Sequence, residues 1–167
     1  MQIQALLAWL QALPPSQAMR DSGWLFPAVE SGHVVAISLV VGSIMIVDLR
    51  LLGITSRHKP VTQLAGEVLP WTWGFFVVAV ATGLAMFASK AEDYFENPAF
   101  QLKMLFLLLA GLNMAVFHLT AYRSVQHWDH EKPTLFSAKV AGGLSLLFWI
   151  AVVTCGRWIA FVDTGAM

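Results

Sequence analysis

Charge is scarce in this chain. Asp, Glu, Lys and Arg together make up 12% of its 167 residues, about half the ~25% of an ordinary soluble domain. The acidic and basic residues cancel to a net charge of zero. That removes the cationic surface a nucleic-acid partner requires and offers no attraction for an acidic substrate. A single cysteine, Cys155, excludes an internal disulfide. No Walker loop, no G-x-S-x-G elbow, no H-E-x-x-H and no dinucleotide fingerprint is present, so nucleotide hydrolysis, serine-type acyl transfer and zincin chemistry have no foothold. No inverted repeat is long enough to suggest a transporter on its own.

Apolar sequence is what the chain has instead, at 57% of residues. Four runs, roughly 25–53, 70–88, 100–122 and 135–161, are each about the ~20 residues that a helix needs to cross a bilayer. The expected fold is an all-α integral membrane four-helix bundle in lipid, one compact domain with a short tail at 162–167. Residues 1–24 lack the basic n-region of a signal peptide. Leu6, Leu7, Trp9, Leu10 and Leu13 recur at helical spacing among Gln2, Gln4 and Gln11. This predicts a short amphipathic helix lying in the interface and broken at Pro14-Pro15. Pro70 is read as the start of the second span, with Trp71 and Trp73 as its interfacial belt.

An even number of spans puts both termini on one side. The loops at 54–67 and 123–134 and their flanks carry Arg50, Arg57, Lys59, Arg123, Lys132 and Lys139. The other side carries Arg20, Lys90, Lys103 and Arg157 against six carboxylates, Asp21, Glu30, Glu92, Asp93, Glu96 and Asp163. The positive-inside rule then places the loops in the cytoplasm and both termini in the periplasm of a bacterial inner membrane.

The first run holds ionisable residues that lipid does not tolerate unpaired: Glu30, His33, Asp48 and Arg50. Glu30 and Asp48 are 18 residues apart, which returns them to one helix face about 27 Å apart. Lys139 and Arg157 on the last span are spaced identically. Antiparallel neighbours would therefore close Glu30–Arg157 and Asp48–Lys139 pairs at the two faces, with Lys103 competing for Glu30. Between these pairs, Ser38, Gly42, Ala138, Gly142 and Gly143 are small enough for close backbone approach.

The histidines raise cofactor chemistry. Glu30 and His33 have the i, i+3 spacing of a di-iron carboxylate bundle, but the other spans lack the further carboxylates such a centre needs. For haem b, His33 lies near the periplasmic end of its span and His118 near the cytoplasmic end of a parallel one. They do not share an iron. His33 has Met86, Met104 and Cys155 at its depth; His118 has His58 or Met45. The soft ligands Met86, Met104 and Cys155 with His33 would also suit copper. His58, His127, His130, Asp129 and Glu131 form a loop group that would hold a divalent metal only weakly. Against all this stands the plain alternative that His33 and His118 are simply hydrogen-bonded, to Asn113, Ser38 or backbone.

At LFPAVESGHVVAISLVVGSIMIVDLRLLG, and again at Lys103, Asn113, Phe117-His118, Lys139 and Gly156-Arg157-x-Ile159-Ala160, the sequence resembles a family of small four-span bacterial inner-membrane proteins. The resemblance implies the fold and the membrane location, and carries no activity. In helix number and polar spots alone, the chain is also similar to copper-resistance membrane proteins and b-type cytochrome subunits.

Three functions are compatible with these residues. One is a redox-linked subunit that binds haem b or copper and exchanges electrons with quinone or a periplasmic partner. Another is a cofactor-free scaffold or assembly protein. The third is a small transporter component that works as an oligomer.

Overall fold

The computed structural model describes residues 2–55, 58–127, 129 and 134–162. Arg57, Lys132 and Asp163, counted above for orientation, and the tail beyond Val162 lie outside them. Seven α-helices follow in chain order: α1 (Gln2–Ala12), α2 (Pro14–Asp21), α3 (Leu25–Leu51), α4 (Val61–Ser89), α5 (Ala91–Glu96), α6 (Pro98–Leu119) and α7 (Phe136–Trp158). Short 3-10 turns continue α6 at Ala121–His127 and α7 at Ile159–Phe161. The described residues contain no strand. Four of the segments are long and apolar enough to cross a membrane. The architecture is the all-helical four-span bundle expected from composition.

The bundle is two hairpins joined along one seam. α3 packs on α4 and α6 on α7, and α3 against α7 joins the pairs. Among the described residues α4 and α6 meet chiefly at their terminal end, where the Phe87 and Phe100 rings stack 5.4 Å apart, and pack little elsewhere. Mid-bundle, Val40, Ala110, Trp149 and Val152 form one buried cluster; Leu51, Val61, Ala121, Val125 and Ala138 form another at the end bearing the long loops. Outward positions remain apolar: Val77, Leu108, Leu147 and Ile150 are exposed, as lipid-facing residues should be.

α4 begins at Val61 rather than Pro70, which lies inside the helix. Its N-cap residue, Pro60, offers no side-chain hydrogen bond. The cap comes from elsewhere. Asp129 accepts from the backbone N–H of Val61, and from both the N–H (3.1 Å) and the hydroxyl of Thr62. A carboxylate on a helix N-terminus satisfies orphan donors and complements the helix dipole. With 29 residues, α4 is about 43 Å long against a hydrocarbon core of ~30 Å. Residues 61–69 therefore extend the helix beyond the span, where Lys59 and Glu67 pair at 3.3 Å in the open. Trp71 and Trp73 are both exposed on α4.

At the opposite end α1 breaks before the two prolines, as expected, and these prolines then open the separate short helix α2. Arg20 on α2 donates to the Ser89 carbonyl at 2.9 Å and to the Gln11 carbonyl at 2.7 Å, fastening both short helices to the end of α4. Ile3, Leu6 and Trp9 stay exposed on one face of α1, as an interfacial helix requires. Asn97 caps α6 through the N–H groups of Ala99 (2.9 Å) and Phe100 (3.2 Å), and donates to the carbonyls of Ile159 and Val162, both at 3.2 Å.

Removal of the long-range cap gives a direct test. Asp129→Ala should cost about 1–2 kcal/mol, seen as a lower melting temperature in detergent and faster amide exchange at residues 61–64. Asp129→Asn, which keeps an acceptor, should recover part of both.

Candidate functional site

Because α4 and α6 pack little against each other over most of their length, the bundle encloses a cavity of about 860 Å³ lined by all four spans. That is within the ~300–1,000 Å³ range of small-molecule sites. Phe76, Leu107, Trp149 and Val152 are typical of its walls. Its polar groups are few: His33, Asp48, Thr72, Lys103, Asn113, His118 and Ser145. They divide between the end shared with the chain termini and the end bearing the long loops.

At the terminal end, His33 is half-buried and its Nδ1 lies 2.9 Å from Thr82 Oγ1. The Thr82 hydroxyl also reaches back to the Val78 carbonyl at 2.7 Å, the usual bond of a helical threonine. A hydroxyl has one proton. With that proton on Val78, Nδ1–H donates to Thr82 and Nε2 carries no proton; with it turned to His33, the tautomer is reversed. Gly83 makes room for the ring: a Cβ there would stand 3.1 Å from His33 Cε1. Lys103 and Glu30 are close enough for their charges to act on His33, and the Lys103 stem runs 3.8 Å from the position of a Cβ on Gly156. Just outside the spans, Tyr94 is held above the usual phenol range by burial, then by the negative charges of Glu30 and Asp93.

At the loop end, Asp48 is 5% exposed. It sits on the α3–α7 seam, where a Cβ on Gly142 would come 3.1 Å from both the Asp48 carbonyl oxygen and Leu51 Cβ. The small residue expected at this seam is thus required there. Ser145 lies near the Asp48 carboxyl, and Oδ2 has no hydrogen-bond partner. Asn113 spans α6 and α7 by donating to the Ala141 carbonyl at 2.9 Å. Arg50 is buried beside this end and donates to the Lys59 carbonyl (2.7 Å) and Thr134 Oγ1 (3.3 Å), holding two loops together.

The expected charge pairs do not form. Among the described residues the one ion pair is Lys59–Glu67; Glu30–Arg157, Asp48–Lys139 and Glu30–Lys103 are not closed within 4 Å. Periodicity correctly made α3 and α7 neighbours, but the crossing sets Gly142, one turn on from Lys139, against Asp48. Glu30 and Arg157 are exposed at the terminal end and need no partner there.

Both intramembrane histidines are hydrogen-bonded, though not to Asn113 or Ser38. His118 meets the Met114 carbonyl at 2.9 Å and packs on Phe117 and Tyr122. Met104 joins His33 in the cavity lining; Met86 and Cys155 lie outside it. His58 is exposed in its loop. The described residues hold no group of three or more His, Cys, Asp or Glu side chains arranged for a metal. Asp129 is committed to capping α4, and the side chains of His127, His130 and Glu131 lie outside the described residues. Sequence reasoning passed over Thr82, Gly83 and Ser145, which become visible only once their neighbours on other helices are known.

Fold and cavity together define a membrane four-helix bundle with an internal apolar site carrying a few polar groups. Residues 22–162 match DUF6644, a family of unknown function, and the chain belongs to that family. No curated protein and no solved structure matches it.

Gly142→Leu should force α3 and α7 apart and cost about 1–3 kcal/mol, read as a lower melting temperature. Glu30→Gln should leave the melting temperature within the error expected of an exposed charge, roughly 0.5 kcal/mol. A loss as large as that of Gly142→Leu would show that the Glu30–Arg157 pair forms after all.

Proposed function

We propose that this protein is a small redox-linked subunit of the bacterial inner membrane that seats a b-type haem at the terminal end of its cavity, with His33 as the iron ligand. One observation carries the reading: the His33 ring lines the cavity with Nδ1 2.9 Å from Thr82 Oγ1, and in the tautomer that donates to Thr82 its Nε2 keeps a lone pair for a metal. Histidines that bind metals are characteristically fixed in this way through their other nitrogen. The surroundings suit the rest of a haem. The walls are apolar, and Lys103 offers a cation for a propionate at the same end. Met104, in the same lining, would be a second residue able to hold the iron, through its thioether.

Copper is less well served, because Met86 and Cys155 do not line the cavity with His33 and Met104. His118 is at the far end and cannot reach the same iron. When bound, the haem would supply one-electron chemistry; the chain's own residues orient it, exclude water and balance its charge. With the loops cytoplasmic and the termini periplasmic, the haem edge would lie toward the periplasm. There it could exchange electrons with a periplasmic protein, or with quinone in the bilayer.

An absorption spectrum of the protein purified from haem-replete cells tests this. A Soret band that shifts on dithionite reduction, is lost in His33→Ala and persists in His118→Ala, is the expected result. A colourless protein would overturn the haem reading and leave a cofactor-free scaffold or an oligomeric transporter component in its place.

A further inference from the structure

We infer that the loop end of the cavity is a second binding site, one that takes the hydroxyl-bearing ring of a membrane quinol, with His118 as the acceptor. α6 lines the cavity with Phe100, Met104, Leu107, Gly111, Met114 and His118. Their alternating steps of four and three residues trace a single helix face. His118 stands about five full turns from Phe100, in the middle of that face, so its side chain is directed to the cavity.

The ring has one defined free atom. The Met114 carbonyl, 2.9 Å from Nδ1, can only accept. Nδ1 therefore carries the proton, and Nε2 of the neutral ring keeps a lone pair. His33 differs, because its hydroxyl partner can turn. Nε2 of His118 has no partner among the described residues, and the residue is exposed, so an entering group can reach it. Tyr122, its ring centre 5.1 Å from that of His118, lines the same cavity. Its hydroxyl is not sealed off: among the described residues, Asp48 Oδ2 is the one buried side-chain polar atom left without a partner. This end thus presents an acceptor and, beside it, a hydroxyl free to donate.

The opposite wall favours a flat ring. α4 and α6 run antiparallel, and Phe87 stacks on Phe100. Counting equal rises from that contact, Trp73 comes level with Met114 and Leu69 with His118, and both α4 residues line the cavity. An indole and an imidazole bound the same end. Between the Phe87–Phe100 stack and the cluster around Val61 and Val125, the α4–α6 edge packs little, which gives a lipid-soluble molecule a way in from the bilayer. The complement is a flat ring with a hydroxyl on an apolar tail, which is a quinol. Its hydroxyl donates to His118 Nε2. A quinone carbonyl can only accept, and meets that lone pair as a repulsive neighbour.

The inference deepens the quinone exchange proposed above without resting on the haem, which His33 would hold at the other end. Anaerobic calorimetric titration of the detergent-purified full chain with decylubiquinol, decylubiquinone and farnesol reads the site. Decylubiquinol should bind about fivefold more tightly than decylubiquinone, the difference one neutral hydrogen bond makes. His118→Phe, which keeps a flat ring and removes Nε2, should abolish that preference. His118→Gln, whose amide oxygen still accepts, should keep part of it. Trp73→Ala should weaken quinol and quinone alike, by about threefold. Farnesol, an alcohol without a ring, should bind more weakly than the quinol. Equal binding of quinol and quinone by the parent chain, binding of neither, a preference that survives in His118→Phe, or farnesol matching the quinol would each overturn the inference. The haem is read separately. A colourless protein that still prefers the quinol loses the haem and keeps this site, and a Soret band without that preference does the reverse.

Discussion

The close approach of α3 and α7 at Gly142 is the contact on which the rest of the molecule depends. Each hairpin, α3–α4 and α6–α7, is held by its own extensive packing; this seam is the main helix-to-helix contact between them, helped at the loop end by the Asp129 cap on α4 and the cluster around Val61. Hydrophobic exclusion does not drive helices together in lipid, so association rests on van der Waals contact and interhelical hydrogen bonds. At the seam the first dominates: a glycine lets the Asp48 backbone come within contact distance, while Asn113 adds a polar bond inside the α6–α7 hairpin. The seam also explains the cavity. Two hairpins hinged along one edge leave the opposite edge, α4 against α6, loosely packed except where Phe87 stacks on Phe100.

Much of this was legible in the amino-acid sequence because lipid imposes a simple rule. Apolar runs of spanning length announce the helices, and a helix period of 3.6 correctly paired α3 with α7 through Ala138 and Gly142. The same period could not fix the register of their crossing. Eighteen residues return to the same face, yet a shift of one turn replaces Lys139 by Gly142 opposite Asp48, and the anticipated ion pair is gone. The start of α4 was hidden for a different reason. Its cap, Asp129, is 68 residues from Val61, and no local pattern at Pro60 betrays it.

The candidate site shows the same division. His33, Asp48, Lys103, Asn113 and His118 stand out in sequence as polar groups in apolar runs, and all five line one cavity. What could not be read is their partnership. That His33 is tied to Thr82, while Asp48 keeps an unanswered oxygen, follows from side chains on other helices. The two residues looked alike as buried ionisable groups; the structure ties one to a hydroxyl on the next helix and leaves the other with an oxygen that has no partner.

The loosely packed edge between α4 and α6 has a bearing on supply. A molecule reaching this cavity would arrive sideways from the acyl chains and not through either aqueous compartment. Its effective concentration would then be set by how strongly it partitions into the bilayer, which for a greasy molecule exceeds its concentration in water by orders of magnitude. A weak intrinsic affinity would suffice to keep such a site filled, and discrimination among candidates would fall to the one polar contact at its end.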